Sequence, residues 1–409
     1  MKKASFGKLL SINTYWLGHS FMWNSLHPII LPAILLHLVP EAGKNSYLGL
    51  LTFAGLLLAM LIQPISGAAS DSWRSSWGRR RPLGLTGTLL DFIFLALLAW
   101  SGSILAVIIG YIGLQIASNT AHGPMQGLIP DEVPPSQMGT ASGLKNLMEM
   151  GGLIAASLAA GYLLSPNDRY PTAIILTVMG VLAAASLVTF VTAREVPTSK
   201  MRREKVSLNL KHVFSLDLHA NRNFFQLVAA RFVFLVGIYG VQTFAQYYIR
   251  DVMQAPNPVK ATGELMAALA GALVLCSLLG GWLTDRVGAR RVLVLASLLS
   301  AAGCFLLIFA RDLASMTLYA SLLGAGIGFF LPSNWALAAK LAPKGEAGRF
   351  LGLTNLATAG ASALSKLGGF GIDLANAAAP GKFLGYSGLF MLGGVFALAS
   401  LLVLAKVKE

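Results

Sequence analysis

Two charged residues one helical turn apart, Lys145 and Glu149, lie inside an otherwise apolar run from 138 to 164. At positions i and i+4 they share one face of a helix. Burial favours the neutral carboxyl and a neighbouring ammonium favours the anion, and a group balanced between the two can take up and release a proton. With a helix starting near Met138, Glu149 stands about 16 Å along it at 1.5 Å per residue, near the middle of a membrane. The bland alternative is a fixed ion pair with Lys145 reaching back towards water. Other polar side chains recur at helical spacing. Tyr15, His19, Trp23 and His27 follow one another at four-residue steps, and Gln115, Asn119 and His122 share a face. Arg231 and Gln242 align through Ile238, Asn334 sits two residues after Pro332, and Asn355 leads Thr358, Ser362 and Lys366. Such rings can stack and such amides can donate and accept, which suits a small polar organic solute; they can equally bond one helix to another. His19, His27 and His122 follow Glu149 as proton carriers, because unperturbed imidazole titrates near neutrality.

The elements that hold these residues are apolar. Of 409 residues 55% are hydrophobic and 12% charged, against about a quarter charged in soluble domains. A membrane core needs about 20 apolar residues per helix, and twelve such runs can be placed: 12–38, 46–70, 83–101, 103–128, 138–164, 171–194, 222–250, 262–285, 290–310, 313–338, 347–372 and 382–406. Their length and lack of alternation predict helices rather than a barrel. The fold expected is an all-α integral membrane protein with twelve transmembrane helices in two pseudo-symmetric six-helix bundles. The first apolar run is too long for a signal-peptide core and is read as a retained helix. Pro28, Pro32, Pro124 and Pro332 can break helices locally and free backbone groups.

The formal charge of +14 does not imply nucleic acid as a partner. With the N-terminus inside, 22 of the 31 Lys and Arg fall in cytoplasmic segments and six in outer loops, the asymmetry that sets topology. Both termini are then cytoplasmic, and the chain is expected in a bacterial inner membrane. A cysteine introduced near Lys205 should resist labelling in intact cells, whereas one near Lys44 or Lys260 should react; the reverse pattern would overturn the orientation. Cys276 and Cys304 fall in apolar runs and form neither a disulfide framework nor a metal-ligand spacing. No nucleotide loop, metal-spaced His/Cys cluster or nucleophile elbow supports enzyme chemistry, and neither cofactor nor metal is expected.

Two short polar gaps carry a common pattern. Gly281-Trp-Leu-Thr-Asp285-Arg286-Val-Gly288-Ala-Arg290-Arg291 has a looser copy 214 residues upstream, Gly67-Ala-Ala-Ser-Asp71 followed by Gly78-Arg79-Arg80-Arg81-Pro82. Further matches keep the order: Ile112-Gly113 and Ser118-Asn119 with Ile327-Gly328 and Ser333-Asn334, Gly139 with Gly348, and Gly143-Leu-Lys-Asn146-Leu with Gly352-Leu-Thr-Asn355-Leu. Parallel repeats of this kind divide the chain into an N-terminal bundle, 1–194, a cytoplasmic linker, 195–221, and a C-terminal bundle, 222–409.

The paired loops resemble the cytoplasmic motif of the major facilitator superfamily. Within it, the Asp71 to Pro82 loop, Leu128-Ile-Pro130-Asp131-Glu-Val-Pro134 and Phe244-Ala-Gln-Tyr247-Tyr248-Ile-Arg250-Asp251 look like the sucrose-type and glycoside–cation symporter branches. Melibiose-type members of that kind carry acids inside helices 1, 2 and 4, where this chain has His19, His27, Asn119 and His122 instead. The resemblance implies a secondary active transporter working by alternating access. It would move a small polar solute, sugar-like in the first instance, with proton coupling, as a monomer among membrane lipids. It implies a cavity lined by helices 1, 4, 7 and 10 with help from 2, 5, 8 and 11, hence substrate contacts from Tyr15, His19, Trp23, His27, Gln115, Asn119, His122, Arg231, Gln242, Asn334 and Asn355; the depth of Glu149 and its Lys145 neighbour make that pair the expected coupling site. Asp71, Arg79 and Arg80 in one half, and Asp285, Arg286 and Arg290 in the other, would form charge-assisted clasps that gate the cytoplasmic side. Export of amphipathic compounds or lipids, and a non-transporting protein that keeps the fold, stay open as alternatives.

Overall fold

The computed structural model describes residues 3–193, 195, 221–343 and 347–407, the last from 347 to 349 by backbone only. The linker expected at 195–221 therefore lies outside the described residues except for its two ends. Twelve helical elements follow in order: α1 (Phe6–Ser25, then a π-helical turn Leu26–Ile30 and Leu31–Leu36), α2 (Lys44–Asp71), α3 (Arg81–Ala99), α4 (Ile104–Glu132), α5 (Met138–Leu163), α6 (Thr172–Thr192), α7 (Arg222–Thr243 with Ala245–Asp251), α8 (Pro258–Val287), α9 (Ala289–Leu307), α10 (Leu313–Leu341), α11 (Ala347–Lys366 with Gly368–Ala378) and α12 (Leu384–Leu404). No strand occurs among the described residues.

Local chemistry explains where the ends differ from the apolar runs. α1 begins at Phe6 because Ser5 caps it, its hydroxyl accepting from the Lys8 amide at 3.3 Å. α8 begins at Pro258, which needs no N–H in the first turn, behind the capping side chain of Asn257. α10 opens with a reciprocal capping box between Asp312 and Ser315. The π turn in α1 contains Pro28 and is followed by Pro32, two residues that cannot donate to the helical ladder. α4, by contrast, runs through both Pro124 and Pro130.

Among the described residues, nine helices are long and apolar enough to cross a membrane by length and composition. α1, α5 and α11 are not among them, and they carry much of the polar face described above.

The chain divides into two compact units, Met1–Leu38 with Ala54–Leu208 and Val39–Phe53 with Asn209–Glu409. In the first unit α1 packs on α5 and α6, and α3 on α4. The backbones approach closely where side chains are absent: a Cβ on Gly152 would lie 2.5 Å from the Leu17 carbonyl oxygen. In the second unit α10 packs on α8 and α9, and α7 on α11 and α12.

The first residues of α2 belong to the second unit and are tied into it by charge. Asp373 accepts from the Asn45 side chain (2.8 Å) and from the Ser46 amide and hydroxyl (2.7 and 2.6 Å). Asp251 takes Lys44 at 2.5 Å and the Tyr386 hydroxyl at 2.7 Å, while Arg250 meets both carboxylate oxygens of Glu41.

Candidate functional site

In the first unit, α1 and α4 bring their polar faces together. The Trp23 indole N–H reaches both His19 Nε2 and Ser118 Oγ at 3.2 Å, and His122 Nδ1 lies 3.2 Å from the same His19 nitrogen. Gln126 Nε2 contacts His122 Nε2 at 2.8 Å. Indole can only donate, so His19 Nε2 must accept. His122 then donates through Nδ1 and accepts from Gln126 through Nε2, and both imidazoles are neutral in this arrangement. The row continues towards the π turn, where Trp23 stacks on His27 at 4.9 Å and His27 Nε2 meets the Tyr111 hydroxyl at 2.9 Å. Gln115 donates to that hydroxyl at 2.8 Å, and Asn119 donates to Gln115 Oε1 at 3.1 Å. His19, Trp23, His27 and His122 are partly exposed, whereas Gln115 and Asn119 are buried.

Tyr15 departs from the expected face. It is fully buried in a cluster with Leu9, Ile12, Trp16, Met125, Leu128 and Phe190, its amide donating to the Thr189 hydroxyl at 2.9 Å. The four-residue step drifts by some 40° per turn against a 3.6-residue helix, enough to carry Tyr15 from the partly open face into the α1–α6 contact.

Beside this row stands the charged pair of α5. Lys145 Nζ is 2.9 Å from Glu149, with side chains 23% and 28% exposed, and lies 4.2 Å from the ring centre of Trp16. Trp16 in turn meets His122 edge-on at 5.0 Å. The Glu149 carbonyl accepts from the Ser20 hydroxyl at 2.6 Å, which fixes α5 against α1. Neither side chain is fully covered by its protein neighbours.

The Arg-rich turn of the first unit forms a complete clasp. Arg80 is 7% exposed and pairs with Asp71 (2.6 Å), Asp131 (2.8 Å) and the Ser70 hydroxyl (2.5 Å). Arg79 adds a forked contact to Asp131 at 2.5 and 3.0 Å, and that carboxylate pushes Arg79 above the ordinary guanidinium range. Glu195 closes the turn from below, its carboxylate accepting from the backbone amides of Arg79, Arg80 and Arg81 at 2.7, 2.7 and 2.8 Å. These are orphan donors at the start of α3, where a negative charge is favoured.

The matching turn of the second unit does not repeat the clasp. Asp285 is exposed and has no ion pair among the described residues, Arg286 lies over the Trp282 ring at 4.2 Å, and Arg290 donates to the Ala405 carbonyl at 3.1 Å. The tighter turn explains the difference. Gly288 takes φ +91° and starts α9 at Ala289, so only three residues separate Asp285 from that helix.

Within the second unit Arg231 of α7 is buried and donates through Nε to Thr358 (2.8 Å) and through Nη1 to Asn334 Oδ1 (2.9 Å). Thus Arg231 and Asn334 are brought together. Asn355 is exposed and outside this group; Thr358, three residues on, takes its place. Gln242 lies apart as well, facing a small apolar recess with Leu265, Met266 and Phe390. Lys366 is 9% exposed and donates to the Thr243 hydroxyl.

Several members of these groups were not singled out from sequence. Tyr111 extends the α4 face by one turn before Gln115, a signal that spacing alone could have supplied. Gln126 extends it four residues beyond His122 in the same way. Trp16, Ser70 and Glu195 carry no pattern of their own and are recognised only by what they touch.

Three comparisons place the chain among known proteins. The chain is 24% identical to the multi-drug resistance efflux pump PmrA of Streptococcus pneumoniae over 96% of both chains. It is 25% identical to the multidrug resistance protein MdtG of Salmonella typhimurium over 79% of this chain and 78% of that one. Among solved structures it shares its fold with the nucleoside transporter NupG (TM-score 0.75, 13% identity, 98% and 99% of the chains) and with a D-xylose–proton symporter (TM-score 0.74, 15% identity, 98% and 97%). With twelve helices, an Arg-rich turn after α2 and another after α8, and a family match running from residue 17 to 366, the chain belongs to the Major Facilitator Superfamily and is a multi-pass membrane transporter.

Proposed function

We propose that this transporter carries a small polar organic solute by alternating access, with a proton as the coupling ion. The observation that carries this reading is the hydrogen-bonded row from Gln126 through His122, His19 and Trp23 to Ser118, continued by His27, Tyr111 and Gln115. Helices that need only to adhere in lipid use small residues and isolated polar bonds. A row of partly exposed imidazoles and an indole, each held by its neighbour, is instead a preorganised surface for stacking and hydrogen bonding. Polar groups at membrane depth are costly, and their default role is a solute or proton path.

The test is a thermal-stability screen of the purified protein against sugars, nucleosides, organic acids and amphipathic cations, followed by uptake into proteoliposomes for any compound that raises the melting temperature. Stabilisation by polar solutes, with accumulation driven by a pH gradient, is the expected result. The multidrug names of two relatives favour a second reading, export of amphipathic compounds; stabilisation confined to amphipaths would select it and reject the first.

Coupling is assigned to Glu149 with Lys145. A proton arriving on Glu149 removes the counter-charge of Lys145 and leaves that ammonium held by the Trp16 face, against the His19–His122 pair. Glu149→Gln is expected to abolish accumulation against a gradient while solute binding and equilibrative exchange persist. A Gln variant that still concentrates solute with the same proton dependence would move coupling to His19 and His122.

A further inference from the structure

We infer that Arg231 and Asn334 form an anion-binding site for the solute within the second unit, so that the transported solute bears a single carboxylate. This rests on the reading of the chain as a carrier of a small polar organic solute and narrows it to a substrate class.

Arg231 is ten residues into α7, 5% exposed, and among the described residues no carboxylate pairs with it. A lone guanidinium inside a membrane is costly, and such a charge either finds a partner or marks a ligand path. Its bonded partners here are neutral. Thr358 accepts from Nε while its own hydroxyl proton goes to the Thr354 carbonyl at 2.9 Å, so Thr358 has no donor left for a ligand. Asn334 accepts from Nη1 through Oδ1. Arginine has no acceptor, so the amide cannot be turned round, and Asn334 must present Nδ2 as a donor. That Nδ2 is buried without a partner, on a residue with 0% exposure. Arg231 Nη2 likewise makes no hydrogen bond with a described residue.

Among the described residues, the second unit therefore holds a positive charge without a counter-ion, next to an amide donor without an acceptor. Both deficits have the same remedy, an oxyanion able to accept from both. Buried donors left unmade are rare enough that each calls for an explanation. One turn away on each helix, Phe234 and Phe330 stack face to face at 3.8 Å and 4° and are fully buried, which closes one side of the group to water. A monoanion brings Arg231 to neutrality. A dianionic phosphate would leave a net negative charge in the same dry place, which argues for a carboxylate.

The experiment uses the full-length protein in detergent at constant ionic strength. Benzoate, nicotinate and gluconate are each compared with the corresponding amide, with inorganic phosphate alongside, by shift in melting temperature. At least one carboxylate should stabilise the protein while its amide does not. Arg231→Gln should weaken that binding by about tenfold or more, as expected for hydrogen bonds to a charged group. Because Arg231→Gln can fail to fold, Asn334→Asp provides a second arm. It places a carboxylate beside Arg231 from within, so it should raise the melting temperature of the empty protein and erase the response to the added carboxylate.

Equal stabilisation by acid and amide, silence of every carboxylate, or an undiminished carboxylate response in Asn334→Asp would overturn the assignment. A response to phosphate alone would overturn the monoanion. Neutral sugars or nucleosides that stabilise the protein while every carboxylate is silent would sink this inference and leave the broader reading of a polar-solute carrier standing.

Discussion

Arg80→Met is expected to destabilise the first unit by about 3–5 kcal/mol, the usual cost of removing one partner from a buried charge network. Every edge of this guanidinium is engaged: Nε with Asp131, Nη1 with Ser70, Nη2 with Asp71. Methionine fills the space but leaves Asp131 with Arg79 alone and Ser70 without its charged donor. Arg79→Met is the internal control. Its side chain is 36% exposed, and a pair that open to water contributes no more than about 1 kcal/mol. Thermal unfolding of the two variants in the same detergent should separate them clearly. Similar losses from both would mean that the clasp is a surface ornament and that its role lies in topology.

Gly328→Val should strongly destabilise the second unit. A Cβ at Gly328 would stand 2.4 Å from the Leu273 carbonyl oxygen, and at Gly324, one turn earlier, 2.4 Å from that of Leu269. The obstacle in each case is the backbone of α8, which cannot rotate aside. Small residues at this four-residue interval let two membrane helices approach closely, and overpacking such a contact costs about 1–3 kcal/mol or more. Gly271→Ala is the comparison, since nothing lies within 4 Å of its Cβ and a helical Ala in place of Gly gains about 0.5–1 kcal/mol. Size-exclusion profiles after detergent extraction would report the outcome. A monodisperse Gly328→Val protein with unchanged melting temperature would show that α8 and α10 can part without loss.

Most of the fold could be read from the chain because lipid imposes a single rule: about 20 apolar residues per crossing, with every backbone group bonded internally. Each of the twelve apolar runs corresponds to a helix, and the errors fall at ends where caps rather than hydropathy decide, as at Phe6 and Pro258. The α1 and α4 faces were legible for the same reason, since His19, Trp23, Asn119 and His122 keep helical phase over a few turns. Tyr15 was misplaced because phase drifts with distance. Asn355 and Thr358 were indistinguishable by type and spacing, and only the position of Arg231 on another helix separates them. The two Asp–Arg motifs look alike as strings, yet across the shorter turn at Gly288 Asp285 finds no ion pair among the described residues, whereas Asp71 pairs with Arg80. What sequence conceals is which distant group supplies a counter-charge: Asp131 is 51 residues beyond Arg80, and Glu195 lies 114 beyond Arg81.

Glu195 has a bearing on the order in which the protein can be built. Gly78, at φ +96°, would put a Cβ 2.3 Å from the Glu195 Cβ, so the turn is shaped around a residue that leaves the ribosome long after it. Until α6 has been synthesised, the amides of Arg79, Arg80 and Arg81 have no carboxylate to receive them. The earliest of the Arg-rich turns is therefore among the last features of its unit to be completed, and its closure signals that six helices have been delivered before the second half begins.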